Sequence, residues 1–140
     1  MRMVVDLERI GDEAVNIVDR NVVLLERPPV EGAARLWEMG SLTLEIFDKA
    51  TRAFSEGSVE LCHEVRSSLP VSSTLHHKVF RDLTEMMISD AKCIETAEQM
   101  AFVSYSLKRI CDRCSNICES VIFIVQGLDV KHAYCEAHRQ

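Results

Sequence analysis

Asp6–Arg20 reads DLERIGDEAVNIVDR, and one hundred residues further on Ser106–Ser120 reads SLKRICDRCSNICES. Six of the fifteen positions are identical: Leu7/Leu107, Arg9/Arg109, Ile10/Ile110, Asp12/Asp112, Asn16/Asn116 and Ile17/Ile117. A common helical period accounts for the aliphatic matches, because apolar residues three and four apart mark the buried face of a helix. It does not account for an arginine, an aspartate and an asparagine kept in step. A chain that repeats one helix at this offset is built from a repeated unit, and the stretch between the copies has room for two more long helices.

The punctuation agrees. Pro28-Pro29 ends the first helical segment, Gly57 breaks the second and Gly127 closes the last. Helices are expected over residues 3–26, 31–56, 58–89 and 91–126, with Pro70 kinking or splitting the third. No segment alternates with the period of a strand. Aromatics are only 6%, and the apolar residues are chiefly Leu, Ile, Val, Met and Ala, so the expected class is an all-α antiparallel helical bundle. Met100, Val103, Leu107, Ile110, Cys114, Ile117, Val121 and Ile124 form a bundle seam in the fourth helix. Leu7, Ile10, Ala14, Ile17 and Leu24 repeat it in the first, broken only by Asn21. Residues 1–27 then read as the last helix of a first unit whose other two helices lie outside the chain. Residues 30–127 read as a complete second three-helix unit, and residues 128–140 as a loosely attached tail.

A net charge of −6 without a basic block argues against nucleic acid as a partner. The longest run free of Asp, Glu, Lys and Arg is Ser67–His77, well short of the roughly 20 apolar residues a membrane-spanning helix needs. The first ten residues carry Arg2, Asp6, Glu8 and Arg9, unlike a secretory signal, so the expectation is a cytoplasmic protein whose six cysteines are reduced.

On a helical wheel at about 100° per residue with Leu7 at zero, the expected seam of the first helix falls between roughly 280° and 360°. Glu8, Asp12, Asn16 and Asp19 fall between roughly 100° and 180°, an oxygen-bearing stripe about half a turn away. Like charges four residues apart, as in Glu8 and Asp12, oppose the helix unless a cation offsets them. The spacing lets Arg9 reach Asp12 and Glu13, which would supply part of that offset from within the helix. Carboxylates with an amide oxygen suit a hard ion such as Mg²⁺, Mn²⁺ or iron. The plain alternative is a solvated acidic face, and the in-register Asp and Asn are what weigh against it.

LERIGDEAVNI and LKRICDRCSNICE resemble the paired signatures of the PhoU family, regulators of phosphate uptake. MMISDAKCI at Met86–Ile94 and Gln126-Gly127 followed by Asp129 and His132 are similar to the family's last helix and its ending. The resemblance implies two three-helix repeats of about one hundred residues and, on each, a metal-binding acid followed four residues later by Asp. The first copy falls on Glu8 and Asp12, with Asn16 one turn on. The second departs from the pattern: Lys108 stands where the acid should be, leaving Asp112, Asn116 and Glu119. A salt bridge from Lys108 to Asp112 is the expected substitute for a metal there, and RSSLPVSS at Arg66–Ser73 offers no further acid. The implied function is negative control of phosphate uptake by binding rather than turnover. The implied partners are the ATPase of a phosphate-importing ABC transporter and a membrane sensor histidine kinase, with peripheral membrane contact and a homodimer as further expectations.

Cys111, Cys114 and Cys118 contain a Cys-x-x-Cys spacing, yet they sit on the shoulder of the seam, opposite the small Gly11, Ala14 and Val18 of the first copy. Small buried packing residues are the better reading. His132, Cys135 and His138 in the tail have zinc-binding chemistry but make only three ligands. His76-His77 lacks the acidic neighbour of a phospho-accepting histidine and reads as a surface pair. The rival classes are a carboxylate-bridged iron or manganese bundle acting as oxidase or store, and a helical scaffold without metal. The first requires ligands converging inside the bundle.

Overall fold

The computed structural model describes residues 2–30 and 33–127. Four helices follow one another: α1 (Arg2–Leu25), α2 (Ala34–Glu56), α3 (Val59–Ser89) and α4 (Ile94–Gln126), with a single 3₁₀ turn at Ala91–Cys93 before α4. The residues the sequence marked as punctuation do that work. Gly57 and Gly127 take the left-handed conformation, with φ of 65° and 67°, that a side chain would disfavour at a helix end. Ser58 turns the chain into α3 by accepting a hydrogen bond from the Leu61 amide at 3.3 Å. Asp90 accepts one from the Lys92 amide at 2.9 Å at the next corner.

Pro70 does not divide α3, which runs unbroken from Val59 to Ser89. A proline inside a helix costs about 3 kcal/mol in a lost main-chain bond and a steric clash. Here Cys62, Val65, Ser72, Leu75, Val79 and Leu83 are buried on both sides of it, so packing along the whole rod outweighs the local loss.

α2, α3 and α4 make an antiparallel three-helix bundle. Its core begins at the α2–α3 corner with Ile46, Ala50 and Ala53 against Cys62 and Val65 and against Cys111, Cys114, Cys118 and Ile122. It continues through Met39, Leu75, Val103 and Leu107. It ends with Val79, Leu83, Ala97 and Met100. The seam expected for α4 is buried throughout except at Ile124, which is exposed. α1 packs antiparallel along α4, and its Ile10 and Ile17 join the apolar cluster that Ile46, Leu42 and Phe47 of α2 share with α4.

Candidate interaction face on the paired signature helices

The joint between α1 and α4 is a row of polar contacts on an aliphatic spine. Starting at the α1 N-terminus, Asp6 accepts hydrogen bonds from Arg113 and Asn116, both at 3.3 Å. Glu13 pairs with Arg109 at 2.9 Å. Arg20 donates to Gln99 at 3.0 Å and lies over the Phe102 ring, 4.4 Å from its centre. Arg27 pairs with Glu95. Partners descend on α4 as they rise on α1, which fixes the antiparallel sense. Ile10 and Ile110 share one apolar cluster midway along. The two copies of the signature are thus related by an approximate two-fold axis passing near these isoleucines.

The wheel misjudged which face of α1 is buried. Leu7 and Ala14, expected in the seam, are exposed, and Ile17 and Leu24 are only half-buried. The covered face is turned by about 50°, roughly a seventh of a revolution, and consists of Asp6, Ile10 and Glu13, with Ile17, Arg20 and Leu24 beside them. Asp6 and Glu13 are the site residues that reading the sequence missed; their side chains keep only 9% and 7% of their exposure. The available signal was the sign of the charge, since position 13 is Glu where position 113 is Arg. Two carboxylates can be buried here because each meets a guanidinium, without which their desolvation would be prohibitive.

The residues predicted to hold metal lie as follows. Glu8, Asp12, Asn16 and Asp19 are all exposed on α1, and the Asn16 amide donates to Glu13 at 3.5 Å. On α4, Asp112 is exposed and ion-paired with Lys108, Asn116 is engaged by Asp6, and Glu119 is half-buried. Because antiparallel helices bring like flanks together, both stripes open on the same face of the α1–α4 pair. Among the described residues, no three His, Cys, Asp or Glu side chains are grouped to hold a metal ion. The α1 donor set is hard and oxygen-rich, which fits Mg²⁺, Mn²⁺ or iron in kind. Two carboxylates and an amide one turn apart still supply only part of a six-oxygen shell. At the second copy the Lys108 ammonium occupies the position a cation would take.

Away from the joint α1 carries an apolar stripe that, among the described residues, is largely exposed. Val4, Val15, Val18 and Val22 are 55–59% exposed, Leu7 is 44% exposed and Leu25 is 86% exposed. A side chain added at Gly11, in the middle of the stripe, would meet no atom within 4 Å. The same register on α4, Ser104, Leu107, Cys111, Cys114, Cys118 and Ile122, is buried under α2 and α3. Near the α1 N-terminus, Met3, Leu7, Phe47, Ala50, Thr51, Phe54 and Ile117 line a small apolar hollow of about 30 Å³.

The α4 thiols are packing groups. Cys111, Cys114 and Cys118 are fully buried, and burial pushes the Cys114 thiol up to about 12 and raises Cys118 as well. His76 is not a surface residue as expected: it is half-buried, and its Nδ1 lies 2.8 Å from the Ser104 hydroxyl. Burial, then His77 and Lys108, lower its proton affinity. The tail residues His132, Cys135 and His138, with Asp129, lie outside the described residues. No helix among the described residues is long and apolar enough to cross a membrane.

Fold and face together define an all-α bundle organised around a duplicated signature helix. The family model described as the PhoU domain matches residues 36–121. The chain belongs to the PhoU family. It is 29% identical over 127 residues to the phosphate-specific transport system accessory protein PhoU homolog of Xylella fastidiosa, covering 91% of this chain and 54% of that protein. It is 31% identical over 132 residues to the homolog of the same description from Pseudomonas aeruginosa, covering 94% and 54%. The crystal structure of PhoU from Pseudomonas aeruginosa superposes with a TM-score of 0.86 at 30% identity, over 90% of this chain and 61% of that one. The chain thus spans somewhat more than half the length of the curated relatives it matches.

Proposed function

We propose that this chain is a regulator of phosphate uptake that works by protein–protein binding between a phosphate ABC transporter and its sensor kinase. The family, and the relatives' description as accessory proteins of a phosphate-specific transport system, support the first half of that reading. The observation that carries the binding half is the bare apolar stripe of α1 beside its acidic row. Exposed apolar surface of this extent marks a docking site more often than a free face. A second copy of the chain meeting that stripe is part of the reading, giving a homodimer; a compact monomer in sedimentation at micromolar concentration would count against it.

The metal belongs to the same reading. Glu8, Asp12 and Asn16 would hold a hard cation whose remaining positions are filled by water or by the docked partner, and the ion would supply charge neutralisation at the junction. The oxidase rival needs carboxylates converging in the interior, and these point outward. The metal-free scaffold is favoured at the second copy by the Lys108–Asp112 pair.

The test is complementation of a bacterium lacking its own PhoU, read as uptake of labelled phosphate. Wild type should restrain uptake, while Val15→Asp/Val18→Asp should fail to do so although folded by circular dichroism. Full restraint by that variant would refute docking through α1. Manganese retained after dialysis by wild type but not by Glu8→Ala/Asp12→Ala would support the metal; equal retention would remove it.

A further inference from the structure

The α1–α4 joint poses a question of selection. Its aliphatic spine is nearly the same on both helices, Ile10 and Ile17 on one and Ile110 and Ile117 on the other. Apolar contacts alone would therefore let α4 pair equally well with a second copy of itself. The charges differ. Shifted by one hundred residues, Glu13 becomes Arg113, Asp6 becomes Ser106 and Arg9 becomes Arg109.

We infer that the flank of α4 bearing Arg109 and Arg113 is a charge-selective docking surface that accepts a helix carrying carboxylates at the Asp6 and Glu13 spacing and rejects a second copy of α4. In the observed pair, Arg109 sits 2.9 Å from Glu13, and Arg113 donates to Asp6 at 3.3 Å. If another α4 took the place of α1 in the same geometry, Arg113 of that copy would occupy the Glu13 position, directly against Arg109. The two-fold relation would make the clash occur twice. Ser106 would occupy the Asp6 position, leaving Arg113 without its carboxylate. Like charges brought together in a half-buried site penalise a wrong partner far more than they alter the strength of the right one. Two α1 helices would fare unevenly, with Arg9 meeting Glu13 but Asp6 also meeting Glu13. In the heterotypic pair Glu13 meets Arg109 and Asp6 draws Arg113 to itself, so both arginines of the α4 flank face a carboxylate, while Arg9, the two-fold counterpart of Arg109, stays exposed.

This selection depends neither on a bound metal nor on the phosphate reading, and a charge swap in the full chain tests it. Hydrogen exchange of the α1 amides reports release of α1, with the α4 amides as the internal control of folding. Glu13→Arg should speed α1 exchange about tenfold or more while α4 stays protected, and adding Arg109→Glu should bring it back near wild type. Glu13→Gln, which removes the charge without reversing it, should loosen α1 by only about two- to threefold. Arg109→Glu alone should release α1. With the carboxylate introduced at position 109 now able to face Arg113 of another copy, that variant should also form dimers in sedimentation velocity. The inference is overturned if Glu13→Arg and Glu13→Gln act alike, if the double variant does not recover, or if Arg109→Glu releases α1 without self-association.

Discussion

α1 and α4 carry the same line of sequence and end in opposite circumstances. On α4 the register through Cys111, Cys114 and Cys118 is fully buried, while its counterpart on α1, through Gly11, Ala14 and Val18, faces outward. The opposite flanks, one from each helix, meet in a joint of ion pairs. An apolar stripe thus states what a helix can bury, and only its neighbours decide what it does bury. The residues on the two stripes already differ in a way that fits. α4 fills a tight site with thiols, which are small and well suited to burial, and α1 has glycine where no partner constrains the space.

The difference can be broken most forcefully by placing a charge at equivalent sites. Cys118→Asp should cost about 4 kcal/mol or more, enough to unfold a marginally stable domain, because the carboxylate would be buried without a partner. Val18→Asp, at the same register on α1, should change stability by less than about 1 kcal/mol. Urea unfolding of the two variants side by side measures both, and equal losses would mean that α1 is covered as α4 is.

Exchanging the small residues sharpens the same contrast with opposite signs. Cys111→Gly should destabilise by about 2 kcal/mol or more, losing a packed thiol and adding backbone entropy. Gly11→Ala should instead stabilise by about 0.5–1 kcal/mol, since the site is open and alanine favours the helix. A loss of stability on Gly11→Ala would place another group against α1.

The smallest effect concerns Ser104, which holds His76, whereas its counterpart Val4 is exposed. The folded imidazole titrates below its ordinary value of 6.5, first through burial and then through His77 and Lys108. The unfolded chain therefore binds this proton first as pH drops. The stability is fully present above about pH 6.5 and is lost as pH falls from there through the folded value. His76→Gln should flatten that part of the pH profile in thermal melts, and an unchanged slope would assign the acid sensitivity elsewhere.

Much of this was readable in advance, and the failures have physical causes. The four rods, the glycine ends and the buried thiols follow from periodicity and residue size, which are local properties. The outward stripe of Glu8, Asp12, Asn16 and Asp19 lies where the wheel put it. The buried face of α1 was misread because the wheel ranks apolar positions and takes charges for surface, whereas Asp6 and Glu13 are buried by arginines one hundred residues away. Pro70 does not split α3 as one of the two expected outcomes had it, because packing that spans it outweighs the local penalty. His76 was misread because its hydroxyl partner comes from another helix.

The central claim is that α1 repeats α4 with its inner register uncovered. Site-resolved maleimide labelling of Val18→Cys, at concentrations low enough to keep the chain monomeric, tests it most directly. The thiol introduced at position 18 should react at nearly the rate of a free thiol while Cys114 and Cys118 stay unmodified over the same interval. Protection of that introduced thiol comparable to that of Cys118 would contradict the claim.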